Sequence, residues 1–90
     1  GQFMPVDPSI EHLCTIVENA IKTGANKDSL SAPITPESEM GSPKEWDSLS
    51  FVAVFTAVGE AYEIDLDYDD AIHFRNVQAI YTLLNEILQE

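Results

Sequence analysis

The residues best suited to chemistry in this chain are residues 45–49 (Glu-Trp-Asp-Ser-Leu), which lead directly into the apolar segment 50–62. Asp and Ser accept hydrogen bonds from the unpaired amides of a first helical turn, so this stretch predicts a helix start with the Ser48 hydroxyl facing outward. Either Ser48 or Asp47 acts only as a cap, or Ser48 carries a covalent group. A phosphate ester on Ser48 would be favoured because free amides and the positive end of the helix dipole attract an anion.

A calcium site is the second pattern that the residue types suggest. The run Asp65-x-Asp67-x-Asp69 places oxygen ligands as a calcium loop does. That loop also needs glycine at its sixth position and glutamate at its twelfth, which here are Asp70 and Asn76. We therefore interpret these acids as a solvated surface.

Nucleophilic catalysis is also disfavoured. Ser48 would need His12 or His73 and the strained turn of a G-x-S-x-G motif, whereas Trp46 lies two residues before it. A small helical domain offers no deep pocket that excludes water.

The lone Cys14 lies on an apolar stripe and is predicted to be a buried thiol. The two histidines are far apart in the sequence, so their spacing does not match that of zinc ligands. The sequence therefore predicts no catalytic residue, no metal site and no enzymatic activity.

Composition limits the class of protein. Ninety residues with 44% apolar and 22% charged side chains predict one small folded domain over residues 7–90, after a flexible tail at residues 1–6 that includes a possible tag scar. Sixteen acidic residues against four basic ones give a charge of −12, which excludes nucleic acid as a partner and attracts basic protein surfaces. With no run of eighteen apolar residues and no signal-peptide pattern, we expect a cytoplasmic protein that does not engage a membrane.

The spacing of apolar residues predicts an all-α fold with three main helices, one short helix and a long loop after the first helix. The first helix is predicted to open at Asp7-Pro8 and to close at Thr23-Gly24. The second is predicted over residues 48–63, the short one over residues 68–74, and the last one from its cap Asn76 onward.

The predicted core takes one face from each main helix and several apolar residues from the connections. Its expected members are Ile10, Leu13, Cys14, Val17, Ala20, Ile21, Leu30, Ile34, Met40, Phe51, Val52, Phe55, Val58, Tyr62, Ile64, Leu66, Val77, Ile80, Leu84, Ile87 and Leu88. The second helix is apolar nearly all round, so we expect it both to enter the core and to expose apolar surface. Trp46 is expected to pack beneath the loop, with a partner hot spot as the alternative.

The order of these elements, with Asp47-Ser48-Leu49 at the start of an apolar helix, resembles the acyl carrier protein and peptidyl carrier protein family. Further matching residues are Gly41-Ser42-Pro43 before the motif, residues 60–66 (Glu-Ala-Tyr-Glu-Ile-Asp-Leu) after it, and Asn76-Val77 at the last helix. The resemblance covers about residues 34–88.

The resemblance implies a four-helix bundle that carries a 4′-phosphopantetheine arm on Ser48. A phosphopantetheinyl transferase would move this group from coenzyme A with the help of Mg²⁺. Asp47 would then flank the site and help to position the transferase, and Leu49 would offer an apolar contact beside the arm. The arm would hold an acyl or aminoacyl group as a thioester, received from a dedicated ligase and delivered to acyl-processing enzymes. We expect such a carrier to be a monomer.

One departure from the family pattern bears on the partners. Many fatty-acid carriers have acidic residues along the second helix, whereas here that stretch has Ser50, Ala53 and Gly59, and acids resume at Glu60 and Glu63. Docking is therefore expected to be more hydrophobic than ionic, with a dedicated partner rather than general fatty-acid synthesis. The alternative function is a non-modified helical module that binds a protein through the apolar second helix.

Overall fold

The computed structural model describes residues 9–88, so the predicted tail at residues 1–6 and the predicted helix start at Asp7-Pro8 lie outside the described residues. Within them the chain forms helix α1 (Ile10–Ala25), helix α2 (Ser48–Ala61), a 3₁₀ helix (Tyr68–His73) and helix α3 (Val77–Leu88). This part of the chain has no strand, and its β-pairing is limited to isolated bridges from Glu39 to Ser42 and to Asn76. The predicted all-α class with four helices is confirmed. None of the described helices is long and apolar enough to cross a membrane.

Helix α1 ends later than the sequence predicts. Ser9 is its N-cap, and the helix continues through Gly24 to Ala25. Asn26 then adopts the left-handed conformation, with φ of 57°, and its amide donates to carbonyls of the last turn. The prediction that Thr23-Gly24 closes the helix is therefore wrong, because asparagine also tolerates the left-handed region and takes the terminal role here.

Gly24 serves the contact between α1 and α2 instead. A Cβ atom built on Gly24 would lie 3.1 Å from Ser50 Cα and 3.1 Å from Ala53 Cβ. Such distances are shorter than ordinary carbon–carbon contacts, so a larger residue would force the helices apart. Glycine at this position allows the backbone of α1 to approach α2 closely.

The core lies where α1 packs against α2 and α3. The predicted inner faces of α1 and α3 are confirmed, with Leu83 as an additional buried residue and with Ile10, Ile87 and Leu88 only partly buried. Asn76 caps α3 as predicted, since its Oδ1 accepts a hydrogen bond from the Ala79 amide at 2.7 Å. The fully buried large side chains are Leu13, Val17, Ile21, Trp46, Val54, Val58, Phe74, Val77, Ile80 and Leu84.

The predicted inner face of α2 is wrong in part. Ser50 and Val54 are fully buried, whereas Val52, assigned to the core, is 59% exposed. A helix that is apolar nearly all round has no periodicity that defines its orientation, so the contact with Gly24 decides which side faces inward. The expectation that α2 also exposes apolar surface is confirmed by Val52 and by Leu49, which is 76% exposed.

The long loop between α1 and α2 is held against the core as expected. Ile34 is buried, and Leu30 and Met40 are partly buried against the core. The Met40 amide also donates to the Arg75 carbonyl at 2.8 Å, which ties the loop to the segment before α3. Trp46, at the end of this loop, is fully buried, which confirms the packing interpretation and excludes a surface hot spot.

Gly24→Ala is expected to lower the free energy of unfolding by about 1–2 kcal/mol relative to Gly59→Ala, because the added methyl group would lie 3.1 Å from Ser50 Cα and Ala53 Cβ and these neighbours must shift. Gly59→Ala is the matched control. A Cβ there meets Leu66 Cδ1 at 3.4 Å, an ordinary contact, so this change should be neutral or stabilise by up to ~1 kcal/mol. Urea denaturation of both variants measures the difference. Equal effects of the two substitutions would contradict the close-approach role of Gly24.

Candidate functional site

Three polar side chains at the start of α2 have three different roles. Asp47 is the N-cap, and its Oδ1 accepts hydrogen bonds from the amides of Leu49 and Ser50, both at 3.1 Å. Ser50 is fully buried, and its hydroxyl donates to the Glu45 carbonyl at 2.7 Å. Ser48 is the first residue of the helix, is exposed, and makes no side-chain hydrogen bond within residues 9–88. The capping role thus belongs to Asp47, which leaves the Ser48 hydroxyl without a structural partner.

The electrostatic environment of Ser48 is less positive than the sequence alone indicates. Two amides of the first turn are already paired with the Asp47 carboxylate. The Phe51 amide donates to the Asp47 carbonyl at 2.8 Å, as the regular helix requires. The dipole of α2 still favours an anion at Ser48, but the negative charge of Asp47 offsets part of that preference.

Ser48 lines one side of an open groove of about 730 Å³ between α2, the 3₁₀ helix and the long loop. Tyr68 and Ile72 lie on this groove and are 90% and 69% exposed, respectively. A group attached to the Ser48 hydroxyl would therefore have both solvent and apolar surface next to it. The other lining residues are Glu39, Met40, Phe51, Ala71, Arg75 and Asn76.

Glu45 ties the long loop to the start of α2. Its carboxylate accepts hydrogen bonds from the Ser31 amide, at 3.2 Å to each oxygen, and from the Ser31 hydroxyl at 2.9 Å. Burial by itself raises the pKa of Glu45, but hydrogen bonds from its own backbone and from Ser31, with the charge of Lys44, hold that pKa below its usual value. The Glu45 carbonyl also accepts from the Asp47 amide at 3.0 Å. This anchor sets the point at which α2 begins, and hence the position of Ser48.

The other candidates from the sequence do not join Ser48. Cys14 is buried as predicted, and burial, followed by the charges of nearby glutamates, raises the pKa of its thiol, which disfavours the reactive thiolate. His12 is exposed and packs edge-on against Tyr62, with ring centroids 6.0 Å apart, at the opposite end of α2 from Ser48. His73 is exposed at the end of the 3₁₀ helix.

The acidic run that resembles a calcium loop has a structural role. Asp67 caps the 3₁₀ helix by accepting from the Asp69 amide at 3.1 Å, and the Asp70 carboxylate accepts from the Asp67 amide at 3.0 Å. Across residues 9–88 no cluster of three or more histidine, cysteine or acidic side chains could hold a metal ion. Asp67 and Asp70 therefore define the start of the 3₁₀ helix, and Asp65, Asp67 and Asp69 are exposed, as the interpretation of a solvated surface predicts.

Several residues around Ser48 have roles that sequence reasoning did not assign. The sequence does contain an indication of the role of Ser50, because a small polar residue within an otherwise apolar helix is typical of a close contact between helices. Arg75 could also have been singled out from the sequence, because it is one of only four basic residues in an acidic chain. No feature of the sequence indicates the pairing of Glu45 with Ser31, because it joins residues fourteen positions apart in a loop without periodicity.

Asp47→Ala is expected to lower the free energy of unfolding by about 1 kcal/mol, because two amides of the first turn lose their acceptor. Ser48→Ala should change it by less than ~0.5 kcal/mol, since its hydroxyl has no hydrogen-bond partner among residues 9–88. Urea denaturation of the two variants provides the comparison. A larger loss for Ser48→Ala than for Asp47→Ala would show that the capping roles have been assigned to the wrong side chains.

Acid is expected to weaken the Glu45 anchor. The pKa of Glu45 in the folded protein lies below the unfolded value near 4.5, so its contribution to stability is present above that value and is lost as pH falls through the folded pKa. Between about pH 7 and about pH 3, the free energy of unfolding should therefore fall more steeply for the parent than for Glu45→Gln. Glu86→Gln, at an exposed position of α3, is the control and should follow the parent. Coincident slopes for parent and Glu45→Gln would rule out the anchor.

Comparisons with protein-family models, with curated proteins and with solved structures each give no match. The function of the site therefore rests on its own residues and on the motif at Asp47-Ser48-Leu49.

Proposed function

We propose that this protein is a small carrier that holds acyl or aminoacyl groups as thioesters on a 4′-phosphopantetheine arm attached to Ser48. The observation that carries the proposal is the Ser48 hydroxyl, which is exposed at an anchored helix start and has no hydrogen-bond partner in the described part of the chain. The likeness of residues 34–88 to carrier proteins supports the same assignment.

The residues around Ser48 fit such an arm. A phosphodiester can form on the hydroxyl without breaking a hydrogen bond among residues 9–88, because Asp47 and Ser50 make the side-chain hydrogen bonds of this turn. Leu49 is 76% exposed and would contact the arm, and Arg75 in the neighbouring groove has the charge opposite to that of a phosphodiester. The arm supplies a thiol that carries the cargo as a thioester, and tethering raises the cargo's effective concentration at a partner's active site.

Attachment uses the Ser48 hydroxyl as the nucleophile. Its oxygen bonds to the phosphorus of coenzyme A that bears the pantetheine, the pyrophosphate bond breaks, and adenosine 3′,5′-bisphosphate leaves with the electron pair. The hydroxyl proton passes to a base. In this proposal the transferase supplies both the base and the Mg²⁺, while the Asp47 Oδ1 accepts two amide hydrogen bonds of the first turn. Asp47 then acts by holding the turn in place.

The proposed partners follow from this chemistry. A phosphopantetheinyl transferase attaches the arm, a dedicated ligase loads the cargo, and acyl-processing enzymes use it. The stretch of α2 between Ser48 and Glu60 has no acidic residue. These partners therefore dock on apolar surface to a greater extent than on acidic side chains, and the carrier works as a monomer.

Incubation with a broad-specificity phosphopantetheinyl transferase, coenzyme A and Mg²⁺ is expected to add the mass of one phosphopantetheine to the parent protein. Ser48→Ala should gain none, because the nucleophilic oxygen is absent. Ser42→Ala, which removes another exposed serine from the loop before α2, should gain the same mass as the parent. Intact mass spectrometry of the three proteins is the measurement.

A second candidate is favoured by the exposure of Leu49 and Val52, which would suit a helical module that binds a protein without being modified. No mass gain by the parent with several transferases would contradict the carrier proposal. Partner binding that Ser48→Ala leaves intact would then support the module.

A further inference from the structure

The 3₁₀ helix exposes two large apolar side chains, Tyr68 and Ile72. They are 90% and 69% exposed, and both line the groove that Ser48 also lines. Because the helix has six residues, two such side chains form a compact apolar surface on it. Tyrosine is also one of the residue types that contribute most to binding at interfaces, since it combines a large apolar ring with a hydroxyl. This surface is therefore suited to contact with a partner.

The geometry of the 3₁₀ helix places a carboxylate beside this surface. Side chains three positions apart eclipse one another in a 3₁₀ helix, so Asp69 lies on the same face as Ile72. Asp65 lies three residues before Tyr68, so the Cα atoms of these two residues are at most about 11 Å apart. Both acids are exposed, and neither carboxylate accepts a hydrogen bond within residues 9–88. The apolar surface thus has two carboxylates close to it that the described part of the chain does not use.

The charge around this surface is strongly negative. The groove itself is balanced, since Glu39 and Arg75 are the charged residues that line it. Along the chain, residues 60–76 carry six acidic side chains against the one basic side chain of Arg75, which gives a formal charge of −5 with His73 counted as neutral. A region of this charge attracts a basic surface. The six acids are Glu60, Glu63, Asp65, Asp67, Asp69 and Asp70.

The fold leaves this negative charge uncompensated. Asp67 and Asp70 accept hydrogen bonds from backbone amides, which are neutral. The one ion pair within residues 9–88 joins Lys22 and Glu18 of α1, so no basic side chain in that range lies within 4.0 Å of a carboxylate of the 3₁₀ helix. The net charge of the whole chain, −12, has the same sign. Attraction at long range and contact at this surface therefore favour the same kind of partner.

We propose that Tyr68 and Ile72, with the carboxylates of Asp65 and Asp69 near them, dock a partner protein that presents an apolar site bordered by lysine or arginine. Apolar contact supplies most of the affinity, and the ion pairs select and orient a basic partner. The inference rests on the proposed function in one respect, because a partner seated here reaches the group carried by Ser48 through the groove that both line.

The test titrates the unmodified protein with two synthetic amphipathic helical peptides of equal length and identical leucine face. One has lysines beside that face and the other has glutamates. The lysine peptide is expected to bind more tightly and to shift the NMR amide signals of residues 68–72. Its affinity should fall about tenfold in Tyr68→Ala, which removes the larger apolar side chain. It should fall about fivefold in Asp65→Asn/Asp69→Asn, since each exposed ion pair contributes modestly.

The control variant is Asp28→Asn/Glu86→Gln, which makes the same change in net charge at exposed positions outside residues 60–76 and should leave the affinity nearly unchanged. Absence of binding by either peptide, tighter binding of the glutamate peptide, or signals that shift elsewhere instead of on the 3₁₀ helix would overturn the proposal. So would equal weakening in the two double variants, which would indicate attraction to net charge alone. Peptide binding uses the protein without an arm, so failure of loading with successful docking, or the reverse, separates the two proposals.

Discussion

The rest of this structure depends on one contact, where the end of α1 meets the start of α2. Gly24 lies so close to Ser50 and Ala53 that a Cβ atom would be only 3.1 Å from each of them. The buried Ser50 hydroxyl donates to the Glu45 carbonyl, which also accepts from the Asp47 amide, so both groups are satisfied inside the protein. Because the Glu45 carboxylate also holds Ser31, one small cluster determines the helix packing, the course of the long loop and the position of the first turn of α2.

The polar residues at the start of α2 differ in whether the fold uses their side chains. Asp47 satisfies the amides of the first turn, and Ser50 is committed to the interior. Ser48 lies between them in the sequence, is exposed, and has no side-chain hydrogen bond to lose within the described part of the chain. Exposure alone would not distinguish it from other surface serines. Its combination with an anchored helix start and an adjacent groove makes it the position from which a tethered group would be presented consistently.

The sequence by itself determined the helical class and the inner faces of α1 and α3, because each has a single apolar stripe with helical spacing. It also located the cap Asn76 and the start of α2, where a polar loop changes abruptly to apolar residues. The tertiary structure decided the orientation of α2, the packing role of Gly24 and the pairing of Glu45 with Ser31. These features arise from contacts between residues far apart in the chain, which local periodicity does not encode.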